Sequence, residues 1–439
     1  MSESFDMIPP VLLRNARIID PVNGIDEQAD LLIHSGKIKE LASFIQEDRL
    51  PEGVQEIDLT GKIVCPGFID MHVHLREPGE EYKETIQSGT MAAAAGGFTA
   101  VACMPNTNPV NDNEAVTALI LAKAKTASAR VYPVGAISKG SDGSVLAEFG
   151  EMKRAGVVAV SDDGRPVVNS QLMRRALEYA ANYDLLVISH SEEASLSLNG
   201  VMNESVLSTR LGLRGTPRVS EEIMVYRDLA LAAYTGQPLH VAHVSTRESV
   251  SLVRRAKEKG WPVTAETAPH YFSLTEEAVG QYDTSAKMNP PLRSGDDVEA
   301  IRQGLADGAI DVIATDHAPH SALEKDVEFN KAANGVIGME TAVSLGLKLV
   351  QEGVISITGL VEKMAAAPAR ILGLEKNLQP GGTADITIID PDILYEVDVN
   401  KFQSLSKNCP FDRWQLTGKP VLTMVGGRVV FEQGFESIV

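Results

Sequence analysis

Between residues 65 and 375 the chain alternates short apolar runs with stretches of helical composition, and no other feature narrows its fold so far. We read eight strands, at 63–74, 99–104, 130–136, 157–163, 185–190, 239–244, 263–269 and 311–316, with helical stretches such as 169–182 and 248–259 between them. Strands that are apolar throughout are covered on both faces, as in a parallel sheet. Eight such strand–helix units predict an α/β fold, a (β/α)8 barrel of the TIM type. An open doubly wound sheet would usually carry fewer strands and a Gly-rich phosphate loop. The chain has neither GxGxxG nor GxxxxGK[ST], and Gly96-Gly97 reads as a helix stop before the next strand.

The two ends differ from the middle and resemble each other. Runs at 11–20, 29–41 and 54–58, and again at 384–390 and 421–431, are short, β-rich and separated by turn residues. Neither end holds enough strands for a core of its own. Both termini are therefore expected to build one small β-sandwich domain, 1–64 with 376–439, around a barrel of 65–375. A chain of 439 residues buries a large core without disulfides or a structural metal. Its net charge of −19 argues against nucleic acid or an anionic membrane as partner. Cys65, Cys103 and Cys409 show no pair spacing, which fits a reducing cytoplasm. The first thirteen residues lack both Lys or Arg and an apolar core, so no signal peptide is expected there. The longest weakly polar run, 91–105, is too short to span a bilayer.

Chemistry in such a barrel sits at the C-terminal ends of the strands. Here those ends are polar. The first ends Asp70-Met71-His72-Val73-His74 and the fourth Ser161-Asp162-Asp163. The fifth ends Ser189-His190, the sixth carries His243, and the eighth ends Thr315-Asp316-His317. Residues i and i+2 of a strand share a side, so His72 and His74 can reach one metal ion. An HxH pair alone arises by chance, and a buried His is often satisfied by the backbone. Two further His and two Asp on other strand ends make core packing a poor account of the set. Four His and two Asp exceed the three ligands of an open catalytic zinc site, which points to two ions joined by a carboxylate. Asp163, between the two His groups in chain order, suits the bridge. Imidazole with carboxylate fits Zn²⁺, and Mn²⁺, Co²⁺ or Ni²⁺ are compatible with it.

Five histidines remain. His34 reads as structural or exposed. His240 has the opposite strand parity to His243 and is assigned to packing. His270 stands between support of the site and structure. His317 faces away from its neighbour Asp316, and His320 is close enough to touch a substrate.

Several motifs carry a resemblance. The segments Asp70-Met71-His72-Val73-His74-Leu75-Arg76-Glu77-Pro78-Gly79 and Ala314-Thr315-Asp316-His317-Ala318-Pro319-His320, with Lys325, resemble the two signatures of the dihydroorotase family of the amidohydrolase superfamily. Cys103-Met104-Pro105-Asn106-Thr107, Ser161-Asp162-Asp163-Gly164, His243-Val244-Ser245-Thr246 and Lys287-Met288-Asn289-Pro290-Pro291-Leu292-Arg293 match as well. The likeness covers essentially the whole chain and is to the bacterial monofunctional enzymes. It implies two zinc ions per chain: one on His72, His74 and Asp316, one on His190 and His243, with Asp163 between them. It implies that Arg76, Asn106 and His320 grip the substrate carboxylate and that Asn289 and the backbone at Asn334 and Gly335 contact the ring. The chain departs from the family where an aromatic often precedes that Gly, and where Ser191 replaces a common Cys.

The implied reaction is the reversible cyclisation of N-carbamoyl-L-aspartate to (S)-dihydroorotate in pyrimidine synthesis, with Asp316 as the acid and base. Arg76 would form a forked pair with the carboxylate that neutral hydantoins lack; its alternative is an ion pair with Glu77 or Glu80. Hydantoinases and allantoinases bridge their metals with a carboxylated Lys at the fourth strand end. Residues 157–164 contain no Lys, and Lys153 lies in the preceding helix. Another cyclic amidase, or an inactive scaffold for aspartate transcarbamoylase, are the other readings. A homodimer, association with that transferase, and a lid at 321–335 are further expectations.

Overall fold

The apolar runs pair in the order of the sequence. In the computed structural model, which describes residues 9–434, the barrel strands are Phe68–Val73, Phe98–Cys103, Arg130–Gly135, Ala159–Ser161, Leu186–Ser189, Leu239–Val241, Val263–Thr267 and Val312–Ile313. Each runs parallel to the next. His317 bridges back to Val73, and the His74 amide donates to the His317 carbonyl at 2.8 Å, so the first and last strand ends meet. The first eight residues, most of the stretch read for a signal peptide, and 435–439 lie outside the described residues. Among the described residues no helix is long and apolar enough to cross a membrane.

Small and aliphatic side chains fill the barrel: Ile69, Met71, Ala100, Ala102, Val134, Ala159, Ile188, Ala242, Val312 and Ala314 form one buried cluster. Val101, Cys103, Val160, Val187, Val241 and Ile313 alternate with these and join the layer under the helices. The first strand breaks the alternation. Its register against the second slips between Asp70 and Val73. That irregularity lets Met71 pack inside the barrel while His72 and His74 still present together at its mouth, the local re-aiming a bulge provides.

One expected strand is two. Residues 63–74 divide at Gly67, with Ile63–Pro66 in the terminal sheet and Phe68–Val73 in the barrel. A Cβ at Gly67 would collide with the Thr99 side chain. Two other expected runs, 29–41 and 421–431, contain hairpin turns at Ser35-Gly36 and Gly426-Gly427, where the backbone takes positive φ.

The sandwich from the two ends is one continuous sheet. Its order is Arg428–Glu432, Gln415–Val425, Ile386–Glu396, Ile63–Pro66, Val11–Asp20, Ile25–His34, Lys37–Ala42, with Gln55–Asp58 beside Val11–Asp20. Leu13, Ile18, Leu31, Ile33, Val64, Ile386, Ile388 and Leu422 share its core. Asp385 ties it to the barrel: Arg130 Nε donates to it at 2.9 Å and the buried Lys376 ammonium pairs with it. Between Ile386–Glu396 and Gln415–Val425 the chain leaves the sheet and crosses to the barrel mouth. There Ser404 bonds Glu84, and Ser406 Oγ donates to the Lys83 carbonyl at 2.7 Å.

Candidate active site

Five strand ends bring six side chains together: His72 and His74, Asp163, His190, His243 and Asp316, all buried. His72, His74 and Asp163 present ligand atoms as one group; Asp163, His190 and His243 present a second. Asp163 belongs to both. Its Oδ1 lies 3.3 Å from His72 Nε2 and 3.6 Å from both His190 Nδ1 and His243 Nε2. Asp316 Oδ1 lies 3.1 Å from His74 Nε2 and 3.5 Å from His72 Nε2. His243 and Asp316 adopt positive φ, 35° and 48°. For non-glycine residues this is strained, and such strain persists where the surroundings fix the geometry.

The outer nitrogens of three imidazoles are anchored. His72 Nδ1 meets Glu266 Oε1 at 2.6 Å, His74 Nδ1 meets Asn106 Oδ1 at 2.8 Å, and His190 Nε2 meets Glu192 Oε2 at 2.9 Å. Such partners fix the tautomer and the aim of a metal-binding ring. The inner His72 Nε2 is buried with no hydrogen-bond partner. An anchored imidazole with its free nitrogen aimed at carboxylate and imidazole is what a metal ion requires, so this donor set fits one. The electrostatics agree. Burial opposes charge on His72 and His190, yet Asp163, Glu266 and Asp316 hold His72 well above its usual range, and Asp163 with Glu192 push His190 up to about 10. Burial would raise the Asp163 carboxyl, but His72, His190 and His243 outweigh it and hold it well below its usual range. The cluster demands positive charge at its centre.

A cavity of about 220 Å³ opens above the cluster. His74, Asp163, His190, His243 and Asp316 line it, together with Arg76, Asn106, Asn289, His320, Asn334 and Gly335. Of the expected site residues only His72 lies behind the lining. Arg76 is buried, its Nε donates to the Pro319 carbonyl at 3.1 Å, and it reaches Glu80 only at 4.0 Å. Glu77 pairs with Lys123 instead. His320 Nε2 sits 2.8 Å from the Asn334 carbonyl, which makes that nitrogen the donor. Burial, with Arg76, Lys325 and Lys83 nearby, pushes His320 down to about 3, so the ring is neutral and Arg76 is the cation of the cavity.

Other residues fall as follows. His34 is exposed. His317 faces Glu84 and accepts from the Gly338 amide at 3.2 Å, away from the cavity. His270 is buried with Nε2 unpartnered, and burial lowers it to about 4. Lys153 lies in Phe149–Ala155 and donates to the Asp184 carbonyl, which leaves the fourth strand end to Asp163. The 321–335 segment carries the helix Ala322–Lys325, and Lys287 and Lys325 hold it through the Phe329, Ala332 and Ala333 carbonyls. His240 does more than the packing expected from its strand parity. His240 is buried, yet it takes part in the site's support, with Nε2 3.2 Å from Glu266 Oε2. The strand alternation fails because the positive φ at His243 turns that ring to the mouth.

Three supporting residues were not singled out from the sequence: Glu266, Glu192 and Asn408. Glu266 had a legible signal, an acid inside an apolar barrel strand. Glu192 and Asn408 lie in loops, where polar residues are unexceptional.

A family model described as dihydro-orotase-like matches residues 61–249. The chain is 57% identical over 425 residues to the dihydroorotase of Geobacter metallireducens, covering 96% of this chain and 100% of that protein. It is 57% identical to the dihydroorotase of Geotalea daltonii, over 96% and 99%. Among solved structures, the L-hydantoinase (dihydropyrimidinase) from Arthrobacter aurescens superposes with a TM-score of 0.86 at 27% identity, over 98% of this chain and 97% of that one.

Proposed function

The chain belongs to the dihydroorotase family, and we propose that its two His–Asp groups hold two zinc ions for the reversible closure of N-carbamoyl-L-aspartate to (S)-dihydroorotate. It is a cyclic amide hydrolase of pyrimidine synthesis. One observation carries the finer reading: the bridged ligand groups and Arg76, the cation of the cavity, line the same small space. A cyclic amide bearing a carboxylate needs both.

His72, His74 and Asp316 would hold one ion, His190 and His243 the other, with Asp163 shared. Bound there, zinc supplies Lewis-acid chemistry, acidifying a water and polarising the ring amide carbonyl. Arg76, with Asn106 and His320, receives the substrate carboxylate and so fixes the ring over the ligand cluster. Asn289, its Nδ2 held 2.9 Å from Glu192 Oε2, faces the ring with the backbone of Asn334 and Gly335. Asp316 makes its hydrogen bond through Oδ1, and Oδ2 has no partner among the described residues. In ring opening that free oxygen takes the proton of the attacking water and passes it to the ring nitrogen as the C–N bond breaks. Closure runs the same transfers in reverse.

We place the protein in the cytoplasm as a homodimer, and assign it aspartate transcarbamoylase as a protein partner. The three buried free cysteines are in keeping with a reducing compartment. The test couples metal analysis to turnover of dihydroorotate, hydantoin and allantoin. About two zinc per chain with dihydroorotate turnover supports the proposal. Turnover of neutral rings alone overturns the role of Arg76. Metal-free, inactive protein that zinc does not rescue overturns the catalytic reading in favour of a scaffold.

A further inference from the structure

The loop that carries His320 and the loop that carries Asn334 and Gly335 are tied together from outside the barrel. Asn408 belongs to the crossing segment of the terminal sheet, far from both loops in sequence, and is buried. Its Oδ1 accepts from the His320 amide at 3.1 Å. Its Nδ2 donates to the Ala318 carbonyl and to the Gly335 carbonyl, each at 3.0 Å. Its own carbonyl accepts from the Ile337 amide at 3.0 Å. Two carbonyls on one side and an N–H on the other admit only one orientation of the amide. The two loops touch where Asn408 joins them: a Cβ on Gly335 would come within 2.7 Å of Ala318 Cβ. The crossing segment is itself fixed, through Ser404 and Leu405 to Glu84 and through Ser406 to Lys83.

Of the three groups assigned to the carboxylate, Arg76 and His320 take their aim from these loops, while Asn106 is anchored on His74. Arg76 takes its orientation from the Pro319 carbonyl, between Ala318 and His320. The His320 ring takes its own from the Asn334 carbonyl, next to Gly335. We propose that Asn408 is a positioning residue for the substrate carboxylate, setting the spacing of the Ala318–His320 and Asn334–Gly335 loops and so the selectivity for acidic rings. The inference rests on the carboxylate site proposed above. Asn408 touches neither the metal ligands nor the reacting amide, so its effect falls on binding that ground state and transition state share.

The test is Asn408→Asp. The replacement keeps the size and one acceptor, but sets a carboxylate oxygen against two carbonyls. KM for dihydroorotate should rise by about tenfold or more, while kcat stays within about threefold and zinc per chain is unchanged. Inhibition by neutral 5,6-dihydrouracil, which has the ring contacts at Asn334 and Gly335 but no carboxylate, should weaken by much less than the change in KM for dihydroorotate. An unchanged KM in the folded variant overturns the proposal. So does an equal loss for dihydrouracil and dihydroorotate, which is what general loosening of the fold produces. If the Asp variant does not fold, Asn408→Ser replaces it: a raised dihydroorotate KM supports the proposal and a wild-type KM overturns it. Absence of dihydroorotate turnover in the wild-type protein would instead refute the functional reading on which the inference stands.

Discussion

Replacing Glu266 by Gln should loosen one of the two proposed metal sites and spare the other. Glu266 is 1% exposed and anchors His72 Nδ1 at 2.6 Å, with its second oxygen on His240 Nε2 at 3.2 Å. Gln fills the same volume and can still accept from His72, but the bond loses its charge, and charge-assisted bonds are roughly twice as strong as neutral ones. The amide NH2 then faces His240 Nε2, which can accept it if Thr264 Oγ1, 2.8 Å from Nδ1, takes the other proton. The core therefore tolerates the change, and the cost falls on the aim and basicity of His72. Partners of metal-binding His typically contribute ~10–100-fold in affinity, which is ~1.4–2.8 kcal/mol at 1.4 kcal/mol per decade. The short contact between two fully buried groups argues for the upper end. His190 and His243 make no hydrogen bond to Glu266 through their rings, so the ion proposed for them should stay. A chelator titration of zinc-loaded protein should release one ion early in Glu266→Gln and the second at the wild-type concentration, with dihydroorotate turnover lost at the first step. Release of both ions together at the wild-type concentration would refute the reasoning.

Other changes separate the remaining roles. Asp316→Ala should lower dihydroorotate turnover by several orders of magnitude with the circular dichroism spectrum retained; near-wild-type turnover would remove its role as acid and base. For Arg76→Ala, KM for dihydroorotate should rise about a hundredfold, as when one partner of a buried charge pair is truncated. An unchanged KM would remove Arg76 from the carboxylate. Asp385→Asn breaks the buried pair with Lys376 and should cost about 3–5 kcal/mol in urea unfolding at pH 7. Burial opposes ionisation of Asp385, but Arg130 and Lys376 pull it down to about 2, below its unfolded value. Its contribution is thus complete above about pH 4 and lost as the pH falls toward 2, so wild type and variant should converge in acid. A constant difference at pH 7 and pH 3 would contradict this pairing.

Much of the site is legible along the strands because a barrel converts strand ends into neighbours. His72, His190 and Asp316 are far apart in sequence, yet each closes an apolar run, and the fold does the rest. Legibility fails where the backbone departs from the regular period. His243 escapes the two-residue alternation through its positive φ, and with it goes the argument that sent His240 elsewhere. The break at Gly67 has one sequence signal, the Pro66-Gly67 pair, inside a stretch whose apolar residues on both sides read as a single strand; the approach of Thr99 is the packing reason for the Gly. Asn408 is the hardest case. Nothing in its neighbourhood distinguishes it from an ordinary loop amide, since its partners are main-chain groups of loops brought to it by the packing of the terminal sheet on the barrel.

That sheet also sets a timetable for synthesis. Cys65 lies beside Thr387, 322 residues later in the chain. Until that residue emerges from the ribosome, Ile63–Pro66 has an open hydrogen-bonding edge where Ile386–Glu396 will pair. At ~5–20 residues per second the delay is about 15–60 s, longer than most isolated domains need to fold. The nascent chain thus carries a half-built sheet past the completion of its barrel, with an unpaired apolar edge open to other chains. For this architecture the dangerous interval is set by translation rate as much as by the stability of the finished protein.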